Sequence, residues 1–437
     1  MAQFRKDTHQ YLGDSKTIFE TVMLADQYGN LVGAANPSGM AVDAFGRARI
    51  SQPFTLYDSF HRFDDNGKDA TLYTVGGSNS FNANTSTIDA SIGTSQNQYV
   101  YRETKRVFAY QPGKSLQIFT TFVMNPAKTG LRQRVGYFGW ENGFFLERNG
   151  ASQVRFVKRS KVTGSVVDTV VEQANWNIDK LNGTGPSLLT LNLDNPQILF
   201  IDIEWLGVGS VRMGFVIDGQ LIWCHSFHHA NRSDAPKGAY IQTACLPIRA
   251  EIENTANTAS ASTIKQICST VISEGGYELR GTPRDHAIPV TSQYRLITPG
   301  TQYPVLGFQL HPDRLNAIVV PKEISILPIN NGNYRYKLVY NPTITGASWA
   351  NTSPDSSIVY NSNTSATISG GYDVATGYFA ATTQSSGAQI KLDVDVFKYQ
   401  FERDGLANTA IPVVLAITSD TATVNVVASM TWYELTT

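Results

Sequence analysis

Asn-Gly and Asp-Gly pairs punctuate this chain: Asn66-Gly67, Asn142-Gly143, Asn149-Gly150, Asp218-Gly219, Asn331-Gly332 and Asp404-Gly405. A type I′ turn needs positive φ at both central residues. Gly takes it freely, and Asn or Asp take it at small cost. Each pair therefore marks a place where a strand can reverse in two residues. The stretches between them alternate apolar and polar residues in short runs, which is the period of a half-buried strand. Only residues 6–25 carry a helical signal. The pattern predicts antiparallel sheets.

The Asp218-Gly219 turn can be read in register. It pairs Ile217 with Gln220, Phe215 with Ile222 and Met213 with Cys224 on one apolar face. The other face pairs Val216 with Leu221, Gly214 with Trp223 and Arg212 with His225. At 437 residues the chain exceeds one ordinary sandwich. We divide it into an extended N-terminal arm (1–50), a large β-sandwich (51–280) and a second C-terminal β-sandwich domain (281–437). Polar stretches at 76–95, 254–262 and 341–371 read as linkers or long loops. The closing strands are expected at 390–401, 411–418 and 423–435.

Lys and Arg (35) nearly balance Asp and Glu (36), so a nucleic-acid partner is not expected. The basic run Arg155, Lys158, Arg159 and Lys161 reads as the solvated face of a hairpin. The N-terminus shows no apolar core of a secretory leader, and no apolar run has the length of a membrane span. No membrane partner is expected. Cys224, Cys245 and Cys268 have neither disulfide nor zinc spacing and read as buried free thiols. Charged residues make up only 16% of the chain, which suits surfaces covered by neighbouring proteins.

Several ordered motifs between residues 46 and 280 resemble a family of structural proteins of tailed bacteriophages, cyanophages in particular. They are Gly46-Arg47-Ala48-Arg49-Ile50-Ser51, Pro53-Phe54-Thr55-Leu56-Tyr57-Asp58-Ser59, Arg134-Val135-Gly136-Tyr137-Phe138, and Glu141-Asn142-Gly143-Phe144-Phe145-Leu146-Glu147. They continue with Asp179, Gly183-Thr184-Gly185-Pro186-Ser187, the run Glu204 to Gly214, and the run Cys268 to Gly276. In the arm, Phe19 to Asp26 is similar to virion-anchoring N-termini. The resemblance implies a particle component made in the host cytoplasm, with no known reaction.

Phe200-Ile201-Asp202-Ile203-Glu204-Trp205-Leu206-Gly207 resembles the active-site strand of jelly-roll β-glucanases, Glu-Ile-Asp-Ile-Glu-Phe-Leu-Gly. Residues i, i+2 and i+4 of a strand share a face. Retaining hydrolysis needs a nucleophile and an acid about 5 Å apart. In that family the first Glu is the nucleophile, and here that position is Phe200. Asp202 and Glu204 are expected to face solvent or to pair with Arg212. The resemblance implies a concanavalin-like sandwich without the nucleophile.

Among other candidates, Trp140 beside the Asn142-Gly143 turn is the aromatic residue most suited to stack on a sugar or anchor an interface. Phe138 and Phe145 read as core. His225 and His229 would share a strand face, yet no nearby carboxylate completes a metal set. Glu251 and Glu253 read as paired surface carboxylates. We therefore expect an all-β, non-enzymatic virion protein without cofactor or metal. It would assemble with other virion proteins as a homo-oligomer, a trimer or ring. The alternative is a glycan-binding or glycan-cleaving appendage that recognises a host-surface glycan through Trp140, Asp202 and Glu204.

Overall fold

The computed structural model describes residues 52–65, 70–234, 236–382, 388–390 and 400–435. The expected arm with its helical stretch, the Asn66-Gly67 turn and most of the expected 390–401 strand lie outside the described residues. Among the described residues, helix is confined to two short 3-10 turns, Gln173–Asn175 and Pro312–Arg314. The rest is antiparallel β-structure and its connections.

Two sheets face each other in the first sandwich. One is 8-stranded, in the order Gln220–Phe227, Val211–Ile217, Gln197–Ile203, Ser115–Val123, Ser262–Glu274, Thr87–Ile92, Gly77–Asn82, with Phe54–Phe60 also paired to Ser262–Glu274. The other is 7-stranded: Val167–Glu172, Gln153–Ser160, Gly143–Asn149, Leu131–Phe138, Ile248–Asn254, Tyr99–Thr104, Ala70–Val75. Alternate residues of both sheets, among them Ile118, Leu199, Ile201, Val135, Leu146 and Phe156, fill the core between them. A second sandwich follows. Thr282–Ala287, Tyr294–Leu296, Val319–Pro328, Ala388–Ile390 and Val424–Glu434 make its 5-stranded sheet. A 6-stranded sheet centred on Tyr303–Leu310, Val413–Ser419 and Gly332–Tyr340 closes over it. Val305, Phe308, Ile324, Met430 and Trp432 form its core.

The turns divide by geometry. Asp218 (φ 51°) and Gly219 (φ 74°) make the two-residue reversal expected of them. Asn142-Gly143 does not: Phe138 pairs with Gly143, so the reversal takes four residues. Asn142 is instead a buried brace, its Oδ1 accepting from the backbone of Lys161 and Gln242. Asn149 pairs with Gln153 across a three-residue loop, and Asp404 pairs with Thr409. Asn331-Gly332 joins strands of different sheets.

The expected Asp218-Gly219 register holds from Ile217–Gln220 to Gly214–Trp223 and then breaks. A bulge between Met213 and Gly214 sets Met213 against His225 and Arg212 against Ser226, leaving Cys224 as the extra residue. A Cβ at Gly214 would run into the Ile222 carbonyl, so the bulge is built on a close approach only glycine permits. The supposed loop at 76–95 forms two strands, Gly77–Asn82 and Thr87–Ile92, because Ile88, Ala90 and Ile92 alternate into the core. The 341–371 stretch likewise holds short strands, including Ile358–Asn361.

Glu251 was expected at the surface but is buried, as are Glu103, Glu147 and Arg249. They belong to a row of alternating charge across the outer face of the 7-stranded sheet. Glu172 lies opposite Arg155, Arg155 opposite Glu147, Glu147 opposite Arg134 and Arg134 opposite Glu251. Arg249 then joins Glu251 (2.6 Å) to Glu103 (3.2 Å), and Glu103 accepts from Arg403 (2.7 Å) at the start of the second sandwich's Arg403–Asp404 hairpin. Arg106 to Glu402 (2.7 Å) adds a second ionic tie. The Arg155, Lys158, Arg159, Lys161 run is therefore not a free solvated face. Arg155 and Arg159 pair with Glu147 and Asp168, and Arg159 is buried.

Breaking this row inside it and at its open end should differ. Arg249→Ala takes one of two cations from each of two buried carboxylates, Glu251 keeping Arg134 and Glu103 keeping Arg403, and should cost about 3 kcal/mol. Glu172→Gln removes a carboxylate that is itself 38% exposed and should cost about 0–1 kcal/mol. Denaturant unfolding of both variants checks the contrast.

Candidate functional site

The Gln197–Ile203 strand sends Leu199, Ile201 and Ile203 into the main core, which puts Phe200 and Asp202 on the outer face of the 8-stranded sheet. Phe200 is buried there between Phe119 and Trp223, each ring centroid 4.8 Å away. The position that a glucanase gives to its nucleophile is thus the centre of an aromatic stack. Asp202 lies opposite Arg212 on the neighbouring strand. Arg212 Nε donates to its Oδ2 at 3.0 Å and Nη2 donates to the same oxygen. The guanidinium also covers the Trp223 ring at 4.3 Å. Of the two expected positions for Asp202, the structure realises pairing with Arg212.

Burial pushes the Asp202 carboxyl above its ordinary 3.8, against the opposing pull of Arg212. Its Oδ1 has no hydrogen-bond partner among the described residues. Glu204 is separate. The strand ends at Ile203, and the chain turns through Leu206 (φ 38°) and Gly207 (φ 76°). Glu204 is exposed, its backbone N–H donating to Ser210 and its carbonyl accepting from the Tyr240 hydroxyl. The i, i+2 face shared in the sequence is lost at the strand end.

Trp140 follows the Leu131–Phe138 strand of the other sheet. Although partly exposed, it is tied down. Its Nε1–H donates to the Gly405 carbonyl at 2.9 Å, and the Arg249 guanidinium lies 3.7 Å over its ring. Tyr101 meets it edge-on at 5.9 Å. It links the two sandwiches through these contacts while 41% of it stays exposed. Phe138 and Phe145 are buried as expected, but in a small outer-face cluster with Val157, beneath Arg134 and Arg159.

The histidines separate. His225 Nδ1 accepts from Asn177, and its ring meets Phe227 edge-on. His229 stacks on Tyr240 at 3.8 Å and holds the Gly209 carbonyl through Nδ1 at 2.6 Å, leaving Nε2 facing Lys158 at 3.1 Å. Burial pushes both imidazoles down to about 4. No group of three metal-ligating side chains occurs among the described residues. Cys224 and Cys245 are buried, whereas Cys268 is exposed, contrary to expectation, because its side chain falls on the outer face of a bulged strand.

A cleft missed in the sequence lies at the end of the first sandwich. It has a volume of about 310 Å³ and is lined by Tyr110, Lys114, Tyr277, Glu278, Arg280 and Leu435. Gln111 clasps the Glu278 backbone through both ends of its amide, and Lys114 donates to Gly276 at 3.1 Å. Tyr110 accepts from Leu206 N–H and meets Trp205 edge-on, so the cleft adjoins the Glu204 turn. Its walls come from segments more than 150 residues apart, as the 167-residue separation of Gln111 and Glu278 shows, and no local motif announces it.

No protein-family model matches the chain, and no curated protein matches it. Solved structures are similar to parts of the chain at low identity and low TM-score. A Bacteroides ovatus GH16 protein from a mixed-linkage glucan locus is 10% identical and covers 49% of this chain and 99% of its own, with a TM-score of 0.33. A legume lectin-like domain from Entamoeba histolytica is 8% identical over 52% of this chain and 98% of its own, TM-score 0.31. The CBM2 module of the evolved Dit of Lactobacillus casei BL23 phage J-1 is 9% identical over 53% of this chain and 100% of its own, TM-score 0.31.

Arg212→Ala should leave Asp202 buried without its cation and cost about 1–3 kcal/mol at neutral pH. The folded carboxyl binds its proton more tightly than the unfolded chain does, so its contribution to stability falls as pH rises above 3.8. Losing Arg212 raises that affinity further. The penalty should therefore shrink on acidification, and Asp202→Asn added to Arg212→Ala should remove its pH dependence. Unfolding curves between acid and neutral pH check both.

Proposed function

We propose that this chain is a structural, non-catalytic component of a tailed-phage particle, held by contacts with other virion proteins. The observation that carries this is the desolvated ionic joint, in which Arg403, Glu103, Arg249 and Trp140 fuse the two sandwiches into one stiff body. A particle component must transmit position without hinging. A buried joint of matched charges resists hinging, because any opening exposes unpaired ions to each other's loss. The motif resemblance over residues 46 to 280 supports the same reading. So does the outer-face strand, where Phe200 fills the nucleophile position and the charge of Asp202 is committed to Arg212. Immunogold electron microscopy of purified particles should put label on the head, neck or tail. Particles free of label would retire the reading.

The cleft favours a second reading, a glycan-binding appendage. Two tyrosines and three charged side chains around about 310 Å³ suit one or two sugar rings. A glycan array should then show a signal that Tyr277→Ala abolishes and Trp140→Ala retains, since Trp140 is held in the joint. A blank array would remove this reading and leave the first untouched.

A further inference from the structure

The Val167–Glu172 strand closes one edge of the 7-stranded sheet and, among the described residues, pairs only with Gln153–Ser160. Exposed sheet edges are normally guarded by lysine, proline or a bulge. This one has none of them: it runs Val166-Val167-Asp168-Thr169-Val170-Val171-Glu172, and its pairing shows no register shift. Val166, Val167 and Val170 are 47%, 50% and 42% exposed. Its one central charge is answered within the chain, because Arg159 donates to both oxygens of Asp168 at 2.8 and 2.9 Å.

We propose that this edge pairs with the same edge of a second copy, antiparallel about a twofold axis through Thr169, making one sheet continuous across two chains. Three constraints select the occupant and the register. Residues directly opposite in an antiparallel ladder both point their backbone groups at each other or both point them away. On one strand those residues have the same parity, so a self-pairing strand must centre its twofold on a residue and not between two. Centring on Asp168 sets Asp168 against its own copy, and centring on Val170 sets Asp168 against Glu172. Both oppose like charges. Centring on Thr169 sets Val167 against Val171, Asp168 against Val170, Glu172 against Val166 and Thr169 against itself. No carboxylate faces another, β-branched residues meet β-branched residues, and the full exposed run is used.

The faces agree with this. Val171 packs against the main core and lies opposite Phe156, so Val167, Thr169 and Val171 continue the core-facing side of the sheet into the second copy. A contact of this kind is isologous and closes at two chains. It differs from the trimer or ring expected from the sequence and holds whatever the protein's place in a particle.

The test uses the full chain with Cys268→Ser, which removes the exposed thiol. Light scattering should give the mass of two chains, falling to that of one in Val167→Lys/Val170→Lys. Thr169→Cys should form an intermolecular disulfide under mild oxidation, because the twofold brings the two sulfurs within bridging reach. Thr163→Cys, in the preceding turn, should not. A one-chain mass for the parent overturns the proposal, as does a larger mass that survives the lysine pair. A mass that falls with the lysines but shows no Thr169 disulfide overturns the twofold register.

Discussion

The row of alternating charge across the 7-stranded sheet is the constraint on which the architecture turns. A lone buried carboxylate or guanidinium costs several kcal/mol to desolvate, and one partner seldom recovers it. Here each interior member has partners on two sides: Arg134 lies between Glu147 and Glu251, Arg249 between Glu251 and Glu103, and Glu103 between Arg249 and Arg403. Such a chain tolerates burial only if every strand keeps its register. A one-residue slip would carry one strand's charges to the hydrophobic core and leave their neighbours unpaired. The row thus acts as a register lock across six strands, and its last link commits the second sandwich to the first.

The other sheet repeats the device in miniature. Asp202 and Arg212 lie opposite each other beside the Phe119, Phe200 and Trp223 stack, with the guanidinium over the indole. The acidic strand packs its outer face with aromatic rings and pairs its aspartate with Arg212. The cause is local. An aromatic residue at position 200 excludes water from Asp202, and a carboxylate without water at that depth must find a cation. The bulge at Met213–Gly214 comes after this pairing and leaves it intact, shifting only the outer strand.

Features that rest on local pattern were legible in the sequence. The Asp218-Gly219 turn, the alternation of its flanking strands and the burial of Phe138 and Phe145 follow from period-two spacing and turn chemistry, and the Asp202–Arg212 contact is one of the two positions that spacing allowed. The bulge was not legible, because it depends on the approach of Gly214 to a backbone carbonyl across the ladder. Glu251 read as a surface residue because its burial depends on Arg134, which is brought beside it only when the Leu131–Phe138 and Ile248–Asn254 strands align, and on Arg249, which shares its face but is buried only in the assembled sheet. Trp140 read as a free aromatic for the same reason, its hydrogen-bond acceptor lying 265 residues away. In an all-β chain of high sequence separation, which polar residues are buried is a property of strand order, and strand order is not written in any single segment.

That distinction also bears on where the molecule can meet partners. A charge row that is satisfied internally has little left to offer a ligand, so the broad outer face of the 7-stranded sheet, though rich in arginine and glutamate, is electrostatically spent. What remains uncommitted lies at its margins. At one margin the row ends at Glu172, beyond which the exposed valines of the Val167–Glu172 edge meet solvent. At the end of the first sandwich, the cleft by Tyr110 and Tyr277 keeps open volume where its loops meet. The interior charges hold the sheets rigid, and that rigidity lets an edge or a cleft present fixed geometry to another molecule. A looser joint would spend binding energy on ordering these surfaces first.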